Sequence, residues 1–534
     1  MSQSMTLIPQ NFLKQVARGY GVTDTELEVL SKALLEGESI TTISTQLSLK
    51  PETVRKRLGE TYRKFQISGK GPGKMAKLQQ LLVSLYQQQT QAESLSPQKA
   101  EPQTPSSGSC QDWAGAPSVE TFYGRTQELT QLQQWIISDR CRLVALLGMG
   151  GTGKTTLAVK FAKQNAEKFD FVIWRSLRQA TPLTSILADL IQVLSSQPTV
   201  KIEDISQGIS QLIEILNTQR CLLILDDIEM ILSRQDLAGY YAENYEEYGQ
   251  FIRRIAEEPH QSCLVLASSE KLQDLAQLEG QRVRSLQVMG SEEISQKILE
   301  ERGFVVGQDW ISLSERYGYN PLAVKIISAM VQELYEGQVA DFLKNTLLMG
   351  DVRSLLDQPF ERLSLAEKEL MYWLALEQQP IQLSQLQAKM LLPLSASQLL
   401  ETIGSLGRRS LIEKSQKNQQ TYFSLQPVVM KYVIEQFVRQ IDEELVGLIK
   451  NQDLEAIRLL KLYPLEMAQN TQKHYSILDL VMNRLKSRLF ANARGLNLAI
   501  KRLEDSISNL QEQFFEQDYV TQNLQSLITA IQSN

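Results

Sequence analysis

The stretch at residues 143–158, LVALLGMGGTGKTTLA, constrains the fold of this chain more than any other. It begins with five apolar residues that suit a buried strand, continues through a glycine-rich turn and ends in a helical pattern. Gly148 and Gly153 bracket four residues and are followed by Lys154 and Thr155, which is the spacing of a P-loop. In a P-loop, backbone N–H groups at a helix N-terminus face phosphate oxygens. The stretch therefore predicts a strand, a phosphate-binding loop and a helix.

Each residue type in this loop has an expected role. Glycines permit positive backbone angles and a close approach to phosphate that a side chain would block. We expect Lys154 to neutralise charge on the β- and γ-phosphates and Thr155 to offer its hydroxyl to Mg²⁺. The alternative is a glycine-rich turn without a ligand, which the spacing and the Lys-Thr pair argue against. The predicted nucleotide-binding residues of the loop are Gly148, Gly150, Gly151, Thr152, Gly153, Lys154, Thr155 and Thr156.

A second motif follows the apolar run at residues 221–225, which ends in Asp226 and Asp227. Parallel α/β sheets bind their ligands at the carboxyl ends of their strands. Asp226 is therefore predicted to hold Mg²⁺, directly or through water, and Asp227 to orient or deprotonate an attacking water. An Asp-Asp turn that only closes a buried strand is the alternative. The P-loop upstream favours the metal role.

Length and composition indicate several domains and exclude some classes of protein. A chain of 534 residues is too long for one core and suggests about three or four domains. Its formal net charge of −6 argues against a protein that binds nucleic acid or membrane over its whole surface. The four cysteines are far apart and there are only two histidines, so a zinc site is not expected. With neither a signal-peptide pattern nor an apolar run near ~20 residues, we expect a cytoplasmic protein without a membrane span.

The N-terminal part has the pattern of a small all-helical domain. Turn residues separate predicted helices at residues 24–35, 40–47 and 52–65. The segment TDTELEVL at residues 23–30, with Ile43 and Val54 further along, resembles the LuxR-type helix-turn-helix.

Basic residues are in excess in this part of the chain. Lys50, Arg55, Lys56 and Arg57 open the third predicted helix and could contact DNA phosphates or base edges. The same face could instead be a solvated surface on a module that recruits a protein. Sequence leaves both partners open.

A polar stretch rich in Gln, Ser and Pro follows the first domain. Its composition cannot bury a core, so we predict a flexible linker at residues 89–118. Beyond it, apolar runs at residues 171–174, 221–225, 263–267 and 283–288 alternate with helical stretches. This alternation predicts a parallel α/β sheet covered on both faces.

Four separated motifs occur in one order and resemble the NB-ARC NTPases of the STAND class. They are Phe-Tyr-Gly-Arg at residues 122–125, the P-loop, Leu-Asp-Asp at 225–227 and Gly-Tyr-Asn-Pro-Leu at 318–322. The resemblance covers about residues 119–439. It implies that Phe122 and Arg125 lie near adenine or phosphate and that Pro321 lies over the base. It also implies an ATP/ADP switch, in which ADP holds a closed monomer and ATP favours an assembly-competent form.

Two positions depart from the pattern of that family. The family commonly has an arginine that contacts the γ-phosphate where this chain has Ser269, and a hydroxyl cannot make that charged contact. Gln426 stands where the family has a histidine that contacts ADP, and an amide can bond phosphate but carries no charge. Weaker ATP sensing or hydrolysis and a different ADP contact are therefore expected.

The C-terminal third is predicted to be helical apart from one hairpin. Helices at residues 365–376, 383–389 and 397–407 precede two short strands around a polar turn at 417–420, which is the order of a winged helix. In the similar family this element packs on the nucleotide domain, although many winged helices bind DNA. Further on, an apolar stripe could pack inside a helical domain or mediate self-association: Leu496, Ile500, Leu503, Ile507, Leu510 and Phe514. We found no self-similarity of 34–45 residues and expect no repeat sensor in the chain.

These observations predict a multidomain protein with a central α/β P-loop NTPase. The expected cofactors are ATP or ADP with Mg²⁺, and any ATPase activity is expected to be slow. The expected partners are a protein bound by the N-terminal domain, DNA as an alternative, and further copies of the chain in a nucleotide-dependent oligomer. A scaffold that binds nucleotide without hydrolysing it is a further alternative. The predicted domains are a helix-turn-helix at 1–88, the linker at 89–118, the NTPase domain at 119–290, a helical domain at 291–352, a winged helix at 353–440 and an all-helical tail at 441–534.

Overall fold

The structure is a computed structural model that divides into two compact units, Met1–Ser106 and Ser107–Asn534. Each unit is described by itself. The residues that the structure describes are 16–17, 22–34, 40–47, 49–65, 78, 109–195, 200–344, 350–390, 394–455, 457–465, 476–489, 493–511 and 519–532.

The described part of the first unit includes three helices, α1 (Asp24–Leu34), α2 (Ile40–Gln46) and α3 (Pro51–Lys64). Pro51 occupies the first turn of α3, where its missing N–H group leaves no hydrogen bond unmade. One residue from α2 packs between the other two helices in a small buried cluster of Val29, Ile43, Val54 and Leu58. The three predicted helices are present, and their membership of the LuxR type stays a prediction.

A six-stranded parallel sheet is the centre of the second unit. Its strand order is β1-β3-β4-β5-β2-β6. The P-loop strand β2 lies between β5 and β6, and β4, which ends in Asp226, lies on the other side of β5. The motifs of β2 and β4 therefore meet across the carboxyl end of β5. The strands are β1 (Cys110–Asp112), β2 (Leu143–Leu147), β3 (Phe171–Ser176), β4 (Cys221–Asp226), β5 (Cys263–Ser268) and β6 (Val283–Gln287).

Both faces of the sheet are covered, as the sequence predicts. Alternate residues of β2 enter opposite cores, with Leu143 and Ala145 in one apolar cluster and Val144 and Leu146 in the other. A strand buried on both faces needs a continuous apolar run, which explains its composition. The helices of this domain are α4 (Thr126–Leu132), α5 (Lys154–Asn165), α6 (Leu183–Ser195), α7 (Ile205–Thr218), α8 (Glu247–Glu257) and α9 (Gln273–Leu278).

The predicted linker at residues 89–118 is wrong at its C-terminal end. Cys110–Asp112 forms strand β1, which pairs with β3 at the edge of the sheet, and Trp113 packs against the adjacent core. Arg175 of β3 holds Asp112 in an ion pair at 2.7 Å. A three-residue edge strand of mixed composition is stabilised by its neighbour and carries no apolar run that could reveal it. Residues 89–108 of the predicted linker lie outside the described residues.

The rest of the second unit is mainly helical. One large apolar cluster runs through it and includes aromatic rings in tilted contact, such as Trp373 and Tyr463 with ring centroids 5.1 Å apart. Its first helices are α10 (Glu292–Glu301), α11 (Gln308–Arg316), α12 (Pro321–Tyr335), α13 (Val339–Lys344) and α14 (Gly350–Glu361). They are followed by α15 (Leu365–Glu377), α16 (Leu383–Lys389), α17 (Ala396–Arg408), strands β7 (Ile412–Lys417) and β8 (Gln420–Leu425), α18 (Pro427–Asn451), α19 (Leu459–Leu462), α20 (Ile477–Leu489), α21 (Ala493–Gln511) and α22 (Val520–Gln532).

The predicted hairpin near the C-terminal third is present. Strands β7 and β8 pair antiparallel from Ile412 with Leu425 to Lys417 with Gln420. A further bridge joins Phe423 of β8 to Ile381, in the segment that follows α15. The order of three helices and a hairpin agrees with the expected winged helix, whose assignment stays a prediction.

The apolar stripe of α21 packs inside the helical region. Leu503 is fully buried in the large cluster, and Ile500 and Ile507 lie against it. Packing within the domain therefore accounts for these members of the stripe. The side chains of Leu496, Leu510 and Phe514 lie outside the described residues.

All four cysteines are free thiols, of which Cys141, Cys221 and Cys263 are buried. Among the residues that the structure describes, no helix is long and apolar enough to cross a membrane.

The contact between Gly290 and the loop before α12 gives a stability prediction. A Cβ atom at Gly290 would lie 1.9 Å from the Gly318 carbonyl oxygen, whereas one at Gly307 would meet no atom within 4 Å. We expect Gly290→Ala to lower the free energy of unfolding by about 1–3 kcal/mol, because two backbone segments must separate. Gly307→Ala is the control and should change it by less than about 1 kcal/mol. Urea unfolding measures both, and equal losses would contradict the prediction.

Candidate nucleotide-binding site

The predicted P-loop connects β2 to α5 and is shaped by its glycines. Gly148 has φ +149°, and a Cβ atom there would lie 2.3 Å from the Val288 carbonyl oxygen. Gly151 has φ +81°, and a Cβ atom there would lie 2.8 Å from Asn320 Oδ1. Both positions therefore require glycine, because the chain after β6 and the loop before α12 approach the backbone closely.

Lys154 lies at the start of α5 with its ammonium group buried under the loop. Its Nζ atom donates hydrogen bonds to the carbonyl oxygens of Gly148, at 2.8 Å, and Met149, at 3.1 Å. Burial lowers the pKa of Lys154, and the nearby carboxylates of Glu229 and Asp226 oppose that shift. The first N–H groups of a helix have no partner within it and form its positive end. A buried cation beside such an end fits a phosphate group.

Thr155 and Asp226 are brought together as the sequence predicts. Asp226 is 5% exposed at the end of β4 and lines the same cavity as Thr155, whose hydroxyl opposes the upward shift of the Asp226 pKa. Burial raises the pKa of Asp226 to about 6, since the charged form is poorly solvated there. A hydroxyl and a carboxylate suit Mg²⁺, which takes its remaining ligands from water and phosphate oxygens. The donor set therefore fits the expected ion.

Within the described residues, no group of three or more His, Cys, Asp or Glu side chains could hold a metal ion. A magnesium ion at Thr155 and Asp226 would therefore depend on phosphate oxygens for much of its coordination.

Asp227 has a left-handed backbone, with φ 58°, and turns its side chain toward the end of β3. Its Oδ2 atom accepts a hydrogen bond from the Ser176 hydroxyl at 2.7 Å and lies 3.8 Å from Arg178 Nε. It lines the same cavity as Lys154 and Asp226. Its role toward an attacking water stays a prediction.

Glu229 is a site residue that sequence reasoning missed. It lines that cavity, and its Oε2 atom accepts hydrogen bonds from the Ser269 N–H, at 3.1 Å, and the Ser268 hydroxyl, at 3.2 Å. Among the carboxylates it contributes most to raising the pKa of Lys154. Its place two residues after Asp227 was the available signal, and only the short helical turn at Ile228–Ile231 brings it to the cavity wall.

Asn320 joins the P-loop to the helical region. Its Oδ1 atom accepts from the N–H groups of Leu322 and Ala323 and so caps α12, which begins at Pro321. Its Nδ2 atom donates to the Gly150 carbonyl oxygen at 2.8 Å. The Leu322 N–H also points to the Gly151 carbonyl, at 3.3 Å. A motif that sequence alone shows as a helix start is therefore bonded to the phosphate-binding loop.

Arg125 also holds the loop. Its backbone is left-handed, with φ 60°, and its guanidinium donates to the carbonyl oxygens of Thr152, at 3.0 Å, and Met289. A third bond, at 2.6 Å, joins it to Glu128. The guanidinium therefore stabilises the backbone around the site, while the nucleotide contact implied by the family resemblance stays a prediction.

Two cavities lie on either side of the P-loop. The first, about 430 Å³, contains the predicted residues Phe122, Arg125 and Pro321 in its wall. The second, about 330 Å³, contains Asp226, Asp227 and Ser269. Both walls include Gly151, Lys154 and Thr155. A base on one side and phosphates with Mg²⁺ on the other would match this division.

The two positions that depart from the family pattern differ in their location. Ser269 lines the second cavity and bonds Glu229 through its backbone N–H. Gln426 precedes α18 and is not among the residues that line either cavity. Its N–H points to the carbonyl oxygen of Leu411, a residue that lines the second cavity. The contact of Gln426 with a nucleotide stays a prediction.

Comparison with known families decides what this site is. Residues 125–236 match the model of the NB-ARC domain. The chain contains an NB-ARC domain. The matched range includes the P-loop and the Asp226-Asp227 pair, and the NB-ARC strands β2 to β4 place both at one edge of the sheet.

One relative is similar over more of the chain than the matched range. An uncharacterised WD repeat-containing protein of Nostoc sp. is 44% identical over 367 residues, which are 65% of this chain and 29% of that protein. The disease resistance protein RGA2 of Solanum bulbocastanum is 30% identical over 113 residues, 20% of this chain and 12% of that protein. The chain thus spans less than a third of either relative.

Solved structures similar to this one include two archaeal proteins. A Walker-type ATPase of Pyrococcus abyssi has a TM-score of 0.41 at 13% identity and covers 58% of this chain and 96% of its own. The ORC2 protein of Aeropyrum pernix, with bound ADPNP and ADP, has a TM-score of 0.37 at 18% identity. The similarity covers 59% of this chain and 95% of that protein.

The amide of Asn320 gives a prediction about the loop. Asn320→Ser keeps a good cap for α12 but is too short to reach the Gly150 carbonyl, so the loop loses one support. We expect affinity for an adenine nucleotide to fall about tenfold, the effect of one buried hydrogen bond, in isothermal titration. Ser291→Ala is the control, since it removes the cap of α10 without touching the loop. Unchanged affinity in Asn320→Ser would contradict the coupling.

The pairing of Thr155 with Asp226 gives a prediction about the metal. Asp226→Asn should weaken binding of a non-hydrolysable ATP analogue in Mg²⁺ by at least about tenfold, because a neutral amide is a poor Mg²⁺ ligand. Affinity for ADP without Mg²⁺ should change much less. Asp227→Asn is the matched control and should retain both affinities. Equal losses with and without Mg²⁺ in Asp226→Asn would refute the metal role.

Proposed function

We propose that this protein is an ATP/ADP-dependent signalling switch of the STAND class, in which the bound nucleotide controls the arrangement of the NB-ARC sheet and the helices that follow it. The observation that carries the proposal is the bond from Asn320 to the Gly150 carbonyl. It makes the N-terminus of α12 part of the phosphate-binding loop, so a change at the phosphates alters a contact of the helical region.

A buried ionic network supports the same proposal. Glu270 lies two residues after the end of β5. Its carboxylate accepts a hydrogen bond from Arg409 at 2.7 Å, and Arg409 also donates to Glu367 of α15 at 3.0 Å. All three side chains are at most 5% exposed. Breaking a buried ion pair is costly when one charge is left unpaired, so this network favours one arrangement over intermediate ones. The network joins Glu270, at the edge of the sheet beside the second cavity, to Glu367 and Arg409 in the helical region after α14.

The proposed nucleotide is ATP or ADP with Mg²⁺, and hydrolysis resets the switch. Ser269 in place of an arginine supports a slow reaction, since a hydroxyl offers less stabilisation to a charged transition state. Nucleotide-dependent association with further copies of the chain belongs to the same proposal.

The first unit is the proposed output module, acting on a protein partner. Two basic side chains of α3 are bonded inside this unit, Arg57 to the Thr25 carbonyl and Lys64 to Glu26 at 2.6 Å. In a helix that reads DNA, basic side chains point away from the domain toward the DNA. The two contacts inside this unit therefore favour a protein partner over DNA.

The test is the mass and shape of the protein in each nucleotide state. We expect light scattering and small-angle X-ray scattering to differ between ADP and a non-hydrolysable ATP analogue, both with Mg²⁺. Lys154→Ala is the control, and it should show neither nucleotide binding nor the difference, because the phosphates lose a buried cation. Bound nucleotide with the same mass and radius in both states would show a structural scaffold and refute the switch.

A further inference from the structure

The second cavity contains two buried arginines that none of the sequence motifs includes. Arg362 directly follows α14 and Arg409 directly follows α17, and each is at most 5% exposed. Both line the cavity together with Lys154 and Asp226. The helical region therefore contributes two guanidinium groups to a wall that also contains Glu229 and Glu270.

Arg409 is fully used by the protein. Its Nε atom donates to Glu367 at 3.0 Å, its Nη1 atom to Glu270 at 2.7 Å and its Nη2 atom to the Asp236 carbonyl at 2.7 Å. Every nitrogen of this guanidinium has a protein acceptor. Arg409 is thus a structural part of the ionic network.

Arg362 is used only on one side. Its Nη2 atom lies near the carbonyl oxygens of Leu232, at 3.2 Å, and Ser233, at 3.1 Å, and near Glu270 Oε2, at 3.3 Å. Its Nη1 atom is buried and has no hydrogen-bond partner. A buried N–H group without an acceptor costs free energy, and such a group in a folded protein needs an explanation. The side chain is held in place through Nη2, while Nη1 is buried without an acceptor among the described residues.

Position 269, in the wall of the same cavity, carries no cation. Ser269 lines the same cavity with a neutral side chain, and its backbone N–H is bonded to Glu229. A terminal phosphate beside Mg²⁺ and Lys154 would leave oxygens to be satisfied on the side away from the loop. Arginine binds phosphate with fixed, planar geometry and short charge-assisted bonds.

We propose that Arg362 reads the terminal phosphate of a nucleoside triphosphate through its Nη1 group, in place of a cation at position 269. The inference rests on the proposed nucleotide switch and names the residue that distinguishes its two states. Glu270 and the two carbonyl groups position the guanidinium, and a diphosphate lacks the group that reaches it. Since Arg362 lies between α14 and α15, the triphosphate gains a direct contact with the helical region.

The test compares triphosphate with diphosphate affinity in the full chain. Fluorescent ADP and a fluorescent non-hydrolysable ATP analogue are titrated in Mg²⁺ against wild type, Arg362→Gln and Arg362→Lys. We expect Arg362→Gln to lower analogue affinity by about 10- to 100-fold, the effect of one buried charge-assisted hydrogen bond, and ADP affinity by less than about 3-fold. Arg362→Lys should give an intermediate loss, because lysine keeps the charge without the planar fork.

Arg178→Gln is the matched comparison. Arg178 lines the same cavity but its side chain is 81% exposed and lies near Asp227. An effect of general charge in the cavity would appear in both glutamine variants, whereas a specific phosphate contact would appear only at Arg362. Thermal unfolding checks each variant, and if Arg362→Gln does not fold, Arg362→Lys carries the comparison.

The outcomes separate this inference from the proposed function. Loss of analogue affinity at Arg362 alone supports the inference. Three results would overturn it while leaving nucleotide binding intact. Arg362→Gln could lose affinity for ADP and the analogue equally, it could lose affinity for neither nucleotide, or Arg178→Gln could show the same loss of analogue affinity. Wild type that binds neither nucleotide would overturn the proposed function itself.

Discussion

The bond from the Asn320 amide to the Gly150 carbonyl is the contact on which the site depends. One side chain caps α12 with its oxygen and supports the phosphate-binding loop with its nitrogen. Because an amide has both a donor and an acceptor, it can do both at once. The loop is thereby fixed from outside the sheet, and its shape is a property of two regions of the chain.

The charges around the second cavity follow from the same arrangement. Burial opposes the charged forms of Lys154 and Asp226, lowering one pKa and raising the other. Both groups lie in one cavity wall with Glu229 and with Glu270 and Arg409 of the ionic network. Such a cluster stabilises a fold only when its members are paired, so it is a place where a phosphate and a cation would act strongly.

The main elements of the sheet could be predicted because a strand buried on both faces requires a continuous apolar run. The P-loop and the strand that ends in Asp226 were visible for that reason or from spacing. Strand β1 was missed because an edge strand gains its hydrogen bonds from β3 and needs no apolar pattern. Glu229 and Arg362 were missed because the sequence around a single charged residue does not show where its side chain will lie. Glu229 lies near Lys154, and Arg362 is buried against Glu270.

The sequence alone determined that the chain contains a phosphate-binding loop and a carboxylate at the end of a nearby apolar run. Those features are local, since spacing and glycine act over a few residues. Only the tertiary structure decided that Asn320 bonds the loop, that Thr155 meets Asp226, and that Arg362 enters the same cavity with one nitrogen unpaired. These contacts join residues far apart in the chain, and they depend on how the strands are ordered and how the helices pack on the sheet.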